Sequence, residues 1–341
     1  MGDKIILGIE SSCDDTSAAV FKNNINLSNV IASQKVHQAY GGVVPELASR
    51  AHQQNIVPVV HQALKEARLQ LNDLDAIAYT KGPGLLGSLL VGASFAKSLA
   101  YALNIPLIEV NHMQAHILAH FIDDEIQKAP DFPFLGVTIS GGHTQIVKVK
   151  HYFDMEVIGE TLDDAIGEAY DKCGKMLGLD YPAGPQIDQL ARLGNPHQFQ
   201  FSKPKVSDLN FSFSGLKTAV LYFLQREHQK NSAFIQENLN DICASFQYTV
   251  VQILMDKIFK AVKQTGIKNV AIGGGVSANS AIRKALLQAE EKGKIRAFIP
   301  KFEYCTDNAG MIAVVGYYSL LQNRKANTPT GAKARLHLNQ L

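Results

Sequence analysis

The first 130 residues alternate short apolar blocks with polar turns, as the strands and helices of an α/β protein do. Residues 4–11 and 17–21 are apolar and β-branched around a polar turn at 13–15, which predicts a hairpin of two strands. The next predicted elements are a strand at 29–34, a helix at 44–69, a strand at 76–80, a helix at 85–103, a strand at 107–110 and a helix that begins near residue 112. The predicted order is therefore βββαβα.

The second part of the chain repeats this pattern. Residues 135–147 echo residues 7–19, and each stretch reads as a strand, a polar turn and a second strand. The later predicted elements are a strand at 156–161, helices from 163 and 185, an irregular stretch at 195–214, helices up to 263, a strand at 268–272, a helix at 278–291, a strand at 294–299 and a helix at 307–322. The tail after Asn323 is predicted to be loop.

A duplicated βββαβα unit predicts an α/β fold with two related lobes. Lobe I is expected to span residues 1–130, with 305–341 returning to it, and lobe II is expected to span residues 131–304. Ligands of open α/β sheets collect at the carboxyl ends of the strands. A ligand cleft is therefore expected between the lobes.

The composition limits the class of protein. With 341 residues, 46% of them hydrophobic and 19% charged, the chain can bury a sizeable core. Its 33 Lys and Arg against 31 Asp and Glu argue against indiscriminate coating of nucleic acid. Its 4 isolated cysteines suggest neither a disulfide framework nor a zinc ribbon. No signal peptide and no bilayer-spanning apolar run are visible, so a cytoplasmic protein without membrane attachment is expected.

Two histidines stand where a predicted strand turns into a helix. In the segment NHMQAH, His112 and His116 would lie one turn apart on one helix face, so both rings could reach one cation. The segment lacks the glutamate of the HExxH motif, which argues against a metalloprotease. The alternative is that both are ordinary surface or core histidines that bind no metal. His120 extends the spacing, but one helix can scarcely give three ligands to one ion.

A distant carboxylate could complete such a metal site. Asp307 follows a predicted strand and opens a helix in the segment YCTDNA, where Thr306 or Asp307 could instead cap the helix. Two imidazole nitrogens and one carboxylate oxygen leave coordination positions open for a substrate. One divalent metal per chain is therefore expected. Fe(II) and Zn(II) both fit, and these residues do not choose between them.

Glycine-bearing turns predict an anion or nucleotide site. The residues from Thr138 to Gly142 end one predicted strand and begin a turn, where glycines let backbone N–H groups approach an anion. The run GGGVSAN at 273–279 lies between a strand and a helix, a position that favours a phosphate or adenosine. Both could also be ordinary turns. The pattern is not GxGxxG, so a dinucleotide fold is not supported.

Polar residues around a rigid turn could add to the nucleotide site. The segment YPAGP at 181–185 places Gly184 and Asp188 at a helix entrance, although such turns are more often structural. Upstream, Asp164, Glu168 and Asp171 are predicted near one helix face. These carboxylates either stay solvated or hold the hydroxyls of a ribose.

Together these segments resemble the tRNA threonylcarbamoyl-adenosine transferase family, in the bacterial form once described as an O-sialoglycoprotein endopeptidase. The resemblance runs along nearly the whole chain and depends on the ordered set of motifs. The motifs are GIESSCDDTSAAV at 8–20, GGVVPELASR at 41–50, GPGLLGSLLVG at 82–92, NHMQAH at 111–116, SGGHT at 140–144, GEAYDK at 167–172, LGLDYPAGP at 177–185, FSFSGLKTA at 211–219, GGGVSAN at 273–279 and TDNAGMIA at 306–313.

The resemblance implies the fold of actin-like ATPases, sugar kinases and heat-shock chaperones. It also implies that the threonylcarbamoyl group of threonylcarbamoyl-adenylate moves to the N6 amine of the adenosine 3′-adjacent to the anticodon, in tRNAs that read codons beginning with A, with release of AMP. Matched by position, the metal ligands are His112, His116 and Asp307. The substrate contacts are Thr138, Ile139, Ser140, Gly141, Gly142, Asp171, Gly184, Asp188 and Asn279, and Glu10 is a candidate catalytic or cleft residue. His120 departs from the family pattern without affecting the three ligands.

The resemblance further implies partners and nucleotides. The partners are tRNA, an inactive paralogue that forms a heterodimer through the first lobe, and a P-loop ATPase subunit. ATP or AMP could bind in the same cleft as the adenylate. One alternative is an ATP-dependent small-molecule kinase of the same superfamily, which would not need HxxxH and a remote aspartate. Another is a non-catalytic scaffold, which would be expected to lose those ligands.

Overall fold

The computed structural model describes residues 2–324 and 331–340; the rest of the tail predicted as loop lies outside the described residues. The strands are β1 Ile5–Glu10, β2 Thr16–Lys22, β3 Ile25–Ala32, β4 Ala76–Gly82, β5 Leu107–Asn111, β6 Phe134–Ile139, β7 Thr144–His151, β8 Asp154–Glu160, β9 Asn269–Gly273 and β10 Arg296–Phe298. The α-helices are α1 Pro45–Ala67, α2 Leu86–Leu103, α3 His112–Leu118, α4 Ile166–Met176, α5 Ala183–Ala191, α6 Ser214–Lys230, α7 Phe234–Glu237, α8 Leu239–Thr265, α9 Ser280–Glu291 and α10 Ala309–Leu321.

The first five strands form a sheet in the order β3-β2-β1-β4-β5. Strand β2 is antiparallel to β1 and β3, whereas β4 is parallel to β1 and β5. Side chains alternate between the two faces of a strand. Leu7 and Ile9 therefore pack in a buried cluster with residues of α1 and α2, while Gly8 between them faces α10. Because β1 is covered on both faces, its sequence is continuously apolar.

The other five strands form a second sheet in the order β10-β9-β6-β7-β8. Its pairing repeats that of the first sheet, because β6 is antiparallel to β7 and parallel to β9, and β9 is parallel to β10. The central strands β1 and β6 are the first strands of the two repeated sequence segments. The predicted fold class, a duplicated α/β unit, is confirmed.

The chain divides into two compact units. The first contains Met1–Pro130, Lys150–Glu156 and Pro300–Leu341, and the second contains Asp131–Val149 and Val157–Ile299. These boundaries differ from the predicted ones in two places. The chain returns to the first unit at Pro300 rather than at residue 305. Directly after Pro300, the ammonium of Lys301 pairs with Asp124 of the first unit. The short hairpin around Tyr152 also belongs to the first unit, because its ring stacks on Tyr318.

Two predicted element boundaries are shifted by turn and cap residues. Strand β3 begins at Ile25 rather than at residue 29, since Asn23 adopts a φ of 59° and allows a two-residue turn after β2. Helix α4 begins at Ile166 rather than at residue 163. The carboxylate of Asp163 instead accepts hydrogen bonds from the backbone N–H groups of Phe213 at 2.8 Å and Ser214 at 3.1 Å, at the start of α6.

Helix α2 is long and apolar. Its 18 residues have a mean hydropathy of 1.4, so by length and composition alone it could cross a membrane. The expectation that no apolar run has that length is therefore wrong. However, Ala93, Ala96 and Ala100 of α2 are buried in the core of the first unit. The core helix of a globular protein passes the same test of length and composition.

Candidate metal centre and nucleotide site

The histidine pair lies where β5 passes directly into α3. The side-chain oxygen of Asn111 caps this helix, because it accepts hydrogen bonds from the backbone N–H groups of Met113 at 2.9 Å and Gln114 at 3.3 Å. His112 is the first residue of α3 and His116 follows one turn later, and both are buried. Their Nε2 atoms are 3.1 Å apart, so both rings face the same point.

Asp307 lies beside both histidines, although it is far from them in sequence. Its Oδ1 is 3.4 Å from Nε2 of His112 and 3.2 Å from Nε2 of His116. Ligands at about 2.05 Å from one ion stand about 3.3 Å apart in a tetrahedral arrangement. The three atoms therefore have the spacing of a metal-binding face, and the residues fit a divalent ion. His120 is also buried, but it lies outside this group in the described chain.

The interpretation of Thr306 or Asp307 as a helix cap is wrong. Helix α10 begins at Ala309, and its cap is Asn308, whose Oδ1 accepts a hydrogen bond from the backbone N–H of Met311 at 3.1 Å. The asparagine thus serves the helix end. The carboxylate of Asp307 is left to face the histidines.

Glu10 holds the far side of the His112 ring. Its buried carboxylate lies 3.1 Å from Nδ1 of His112 and accepts hydrogen bonds from the hydroxyl of Thr80 at 2.6 Å and the N–H of Ser12 at 2.5 Å. Because an ionised carboxylate only accepts, we assign the ring proton to Nδ1, which leaves the lone pair of Nε2 for an ion. Glu10 therefore lies on the opposite side of the His112 ring from Asp307 and His116.

Burial opposes charge on these groups, but their neighbours outweigh it. Burial of His112 lowers its pKa, but the carboxylates of Asp307 and Glu10 raise this pKa well above its ordinary value. His112 in turn holds the pKa of both carboxyl groups below their usual range, again against the effect of burial. The buried carboxylate of Glu10 and the partly buried carboxylate of Asp307 thus favour a positive charge at this place, as a divalent cation would provide.

The turn after β6, in the second unit, contains the first group of predicted substrate contacts. Thr138 and Ile139 are buried at the end of the strand. The backbone N–H of Ser140 donates to the carbonyl oxygen of His143 at 2.9 Å and closes the turn. Gly141 and Gly142 face open space, since a Cβ on either would meet nothing within 4 Å. Their backbone is therefore accessible to a ligand.

Two other glycine-bearing motifs pack against this turn. The backbone N–H of Gly167, at the start of α4, donates to the carbonyl oxygen of Ser140 at 3.2 Å. Gly274 has a φ of 89°, and a Cβ there would lie 2.6 Å from the carbonyl oxygen of Ile139. The structure therefore brings the motifs SGGHT, GEAYDK and GGGVSAN together within the second unit.

Asp171 is attached to the entrance of α5. Its carboxylate accepts hydrogen bonds from the backbone N–H of Ala183 at 2.9 Å and from that of Gly184. Burial raises the pKa of Asp171, although these hydrogen bonds oppose the shift. The two predicted contacts Asp171 and Gly184 are thus adjacent, and Asp171 also fixes the turn that precedes α5.

Asp188 and Asn279 are joined by a residue that the sequence analysis missed. The side-chain nitrogen of Gln247 on α8 donates to Oδ1 of Asp188 at 3.0 Å, and its oxygen accepts from Nδ2 of Asn279 at 2.8 Å. All three residues are buried. The sequence signal for Gln247 was its place among the apolar residues of a helix, next to Phe246 and one turn before Val250. The structure shows that all three side chains are buried.

Of the two carboxylates predicted to share a helix face with Asp171, only Glu168 lies on α4. Asp164 precedes α4 and pairs with Lys172 at 2.7 Å and Lys217 at 3.0 Å, and Glu168 pairs with Lys172 at 2.7 Å. Burial opposes ionisation of Asp164, but these lysines lower its pKa. The group is therefore an ion-pair network, in which the side chain of Asp164 is 11% exposed and that of Glu168 is 42% exposed.

Two sheets of one topology give this chain the duplicated α/β fold that actin-like ATPases and sugar kinases have. Solved structures agree in fold. Full-length HypF, in a phosphate- and nucleotide-bound form, matches with a TM-score of 0.61 at 16% identity, over 93% of this chain and 46% of that one. The activator of 2-hydroxyisocaproyl-CoA dehydratase from Clostridium difficile, with bound ADPNP, matches with a TM-score of 0.50 at 15% identity, over 97% of this chain and 100% of that one.

Sequence relatives define the family more narrowly. The family profile of TsaD, tRNA N6-adenosine threonylcarbamoyltransferase, matches residues 26–314. The protein of that name from Christiangramia forsetii is 65% identical over 330 residues, 97% of each chain, and that from Riemerella anatipestifer is 59% identical over 339 residues, 99% of each chain. The chain therefore belongs to the tRNA N6-adenosine threonylcarbamoyltransferase family, and the predicted resemblance is confirmed.

Proposed function

We propose that this chain transfers the threonylcarbamoyl group of threonylcarbamoyl-adenylate to the N6 amine of the adenosine 3′-adjacent to the anticodon, in tRNAs that read codons beginning with A. The observation that carries the proposal is membership of one family along nearly the whole chain. No comparison favours the small-molecule kinase.

The reaction is an acyl transfer from an activated donor. The amine nitrogen attacks the carbamoyl carbon, a C–N bond forms, and the bond from that carbon to the phosphate oxygen of the mixed anhydride breaks. AMP leaves with the electron pair, and the amine gives up one proton. Because the donor is already activated, positioning and charge stabilisation supply most of the catalysis.

His112, His116 and Asp307 would hold one divalent metal, with Fe(II) preferred and Zn(II) as the alternative. The spacing of their three donor atoms supports this assignment. A bound ion of this kind supplies positive charge that polarises a carbonyl or phosphoryl oxygen. Glu10 would keep the proton of His112 on Nδ1, so that Nε2 stays available.

The second unit would hold the adenylate. Its contacts would be Thr138, Ile139, Ser140, Gly141, Gly142, Asp171, Gly184, Asp188 and Asn279. The open backbone at Gly141 and Gly142 supports contact with a phosphate or carboxylate through N–H groups. ATP or AMP would bind at the same residues.

The proposed partners follow from the family. They are tRNA as substrate, an inactive paralogue that forms a heterodimer through the first unit, and a P-loop ATPase subunit. The relatives carry tRNA in their names, which supports the first of these. A cytoplasmic location is proposed because the substrate tRNAs are found there.

The test is transfer from purified threonylcarbamoyl-adenylate to tRNA, with the modified adenosine measured by mass spectrometry. His112→Ala and Asp307→Ala should abolish transfer and lower the number of metal ions bound per chain, while the circular dichroism spectrum stays that of the wild type. His228→Ala, at an exposed position of α6, is the matched control and should keep full activity. Wild-type transfer by either ligand variant would refute the metal assignment. Phosphorylation of a small acid or sugar without tRNA would support the kinase instead.

A further inference from the structure

A buried polar network lies behind the residues assigned to the nucleotide. Gln247 is at its centre and is 4% exposed, and it lies within hydrogen-bond distance of Asp188, Asn279 and Tyr170. The hydroxyl of Tyr170 donates to Oε1 of Gln247 at 3.3 Å. Four elements, α4, α5, α8 and the segment before α9, therefore meet at one side chain.

Donor and acceptor roles in this network have one consistent assignment. Oδ1 of Asn279 accepts from the backbone N–H groups of Ala281 at 3.0 Å and Ile282 at 3.1 Å, because it caps α9. The Nδ2 group of Asn279 must therefore point toward Gln247, which must present its oxygen. The nitrogen of Gln247 is then directed at Asp188, whose carboxylate can only accept. A reversed amide at position 247 would place its nitrogen against the donors of Asn279 and Tyr170 and its oxygen against the carboxylate of Asp188.

The same network occupies the acceptor positions of Asp188. Oδ1 accepts from Gln247 at 3.0 Å and from the hydroxyl of Ser280 at 2.8 Å. Oδ2 accepts from Arg192 at 2.8 Å and from the backbone N–H of Ser280 at 3.2 Å. These four contacts hold the carboxylate in one orientation, and a ribose hydroxyl would take the place of the guanidinium of Arg192, whose side chain is 62% exposed.

We propose that Gln247 is a positioning residue for nucleotide binding. It sets the amide plane of Asn279 and the carboxylate plane of Asp188, because its amide donates to Asp188 and accepts from Asn279. Gln247 itself is buried behind these two residues. This inference rests on the proposed function, in which Asp188 and Asn279 contact the adenine nucleotide.

The test compares two substitutions by isothermal titration with AMP and by steady-state kinetics. Gln247→Met keeps the length of the side chain and removes its three hydrogen bonds, and Gln247→Glu places an acceptor against the carboxylate of Asp188. Each should weaken AMP binding about ten- to hundredfold and raise the KM for threonylcarbamoyl-adenylate by a similar factor. The KM for tRNA should not change.

The number of AMP molecules bound per chain separates positioning from a purely structural role. A structural defect lowers this number and the melting temperature but leaves the Kd of the remaining folded protein unchanged. Gln252→Met, at a partly buried position of the same helix, is the matched control and should bind AMP like the wild type. Wild-type Kd values in both Gln247 variants would overturn this inference but not the proposed nucleotide site. Failure of the wild type itself to bind AMP or the adenylate would overturn the proposed nucleotide site and the inference with it.

Discussion

At the scale of single residues, the carboxylate of Glu10 decides which nitrogen of His112 faces the ion. Its position is fixed, because Thr80 and Ser12 donate to its two oxygens. A histidine whose second nitrogen donates to a carboxylate is held in one tautomer and becomes a stronger ligand. In the proposed metal site, Glu10 would therefore contribute to metal binding without contacting the metal.

Glu10→Gln should lower the affinity for Fe(II) or Zn(II) about 10- to 100-fold, as substitutions behind metal ligands do. The amide has nearly the same size, but it lacks the charge that keeps the proton on Nδ1 of His112. Competition with a chelator of known affinity measures the effect. Glu66→Gln, at an exposed position of α1, is the control and should bind metal normally. Equal affinities in the two variants would exclude an orienting role for Glu10.

At this scale local spacing predicted the histidine pair, whereas Asp307 was predicted as a ligand through the family resemblance and could also have capped α10. The spacing of His112 and His116 suffices, because a helix places residues i and i+4 on one face. Asp307 and Asn308 are both good helix caps, and the sequence does not say at which residue α10 begins. The structure decides, since α10 begins at Ala309 and Asn308 makes the capping bond.

At the scale of elements, the C-terminal segment of residues 331–340 holds α3 in place. Nδ2 of Asn111 donates to the carbonyl oxygen of His337 at 3.0 Å, and the side chain of Gln114 donates to that of Leu338 at 2.6 Å. Leu336 and Leu338 are buried. The two donors flank His112 on α3, so the segment helps to fix the helix that carries the metal ligands.

Gln114→Leu should detach this segment from α3. The carbonyl oxygen of Leu338 would lose its donor, and the free energy of unfolding should fall by about 1–3 kcal/mol. Limited trypsin digestion should cut faster after Lys333 or Arg335, and the metal affinity should fall. Starting from the full chain, mass spectrometry measures the rate of digestion and competition with a chelator measures the metal affinity.

Gln62→Leu is the control for this substitution. Gln62 donates to Glu66 on the exposed side of α1, away from the C-terminal segment. Its variant should keep the wild-type rate of digestion after Arg335. A Gln114→Leu protein with that same rate would show that the segment is held by other contacts.

At the scale of the whole molecule, the metal site depends on close packing between the start and the end of the chain. A Cβ on Gly8 would lie 2.5 Å from the carbonyl oxygen of Ala309 and 2.7 Å from the backbone nitrogen of Ala313. Strand β1 and helix α10 therefore touch through backbone atoms. Because Glu10 follows Gly8 and Asp307 precedes α10, this contact sets the distance between the two carboxylates that surround His112.

Gly8→Ala should push α10 away from β1. The free energy of unfolding should fall by about 1–3 kcal/mol, the usual cost of an overpacked core. Metal binding should weaken as well, because Asp307 moves with α10. Thermal melting and metal titration measure these effects, while AMP binding by the second unit should remain as in the wild type.

Gly331→Ala is the matched control, since a Cβ there meets nothing within 4 Å. It should melt and bind metal like the wild type. Unchanged metal affinity in Gly8→Ala would mean that the distance between β1 and α10 does not govern the position of Asp307.

The sequence by itself determined the duplicated α/β fold, the family and the histidine pair. These depend on local periodicity, on motif order and on helix geometry, all of which are present in short stretches of chain. Only the tertiary structure brought Asp307 and Glu10 to His112, and only it placed Gln247 between Asp188 and Asn279. Those contacts join residues far apart in sequence, so they depend on how strands pair and helices pack, which no local pattern specifies.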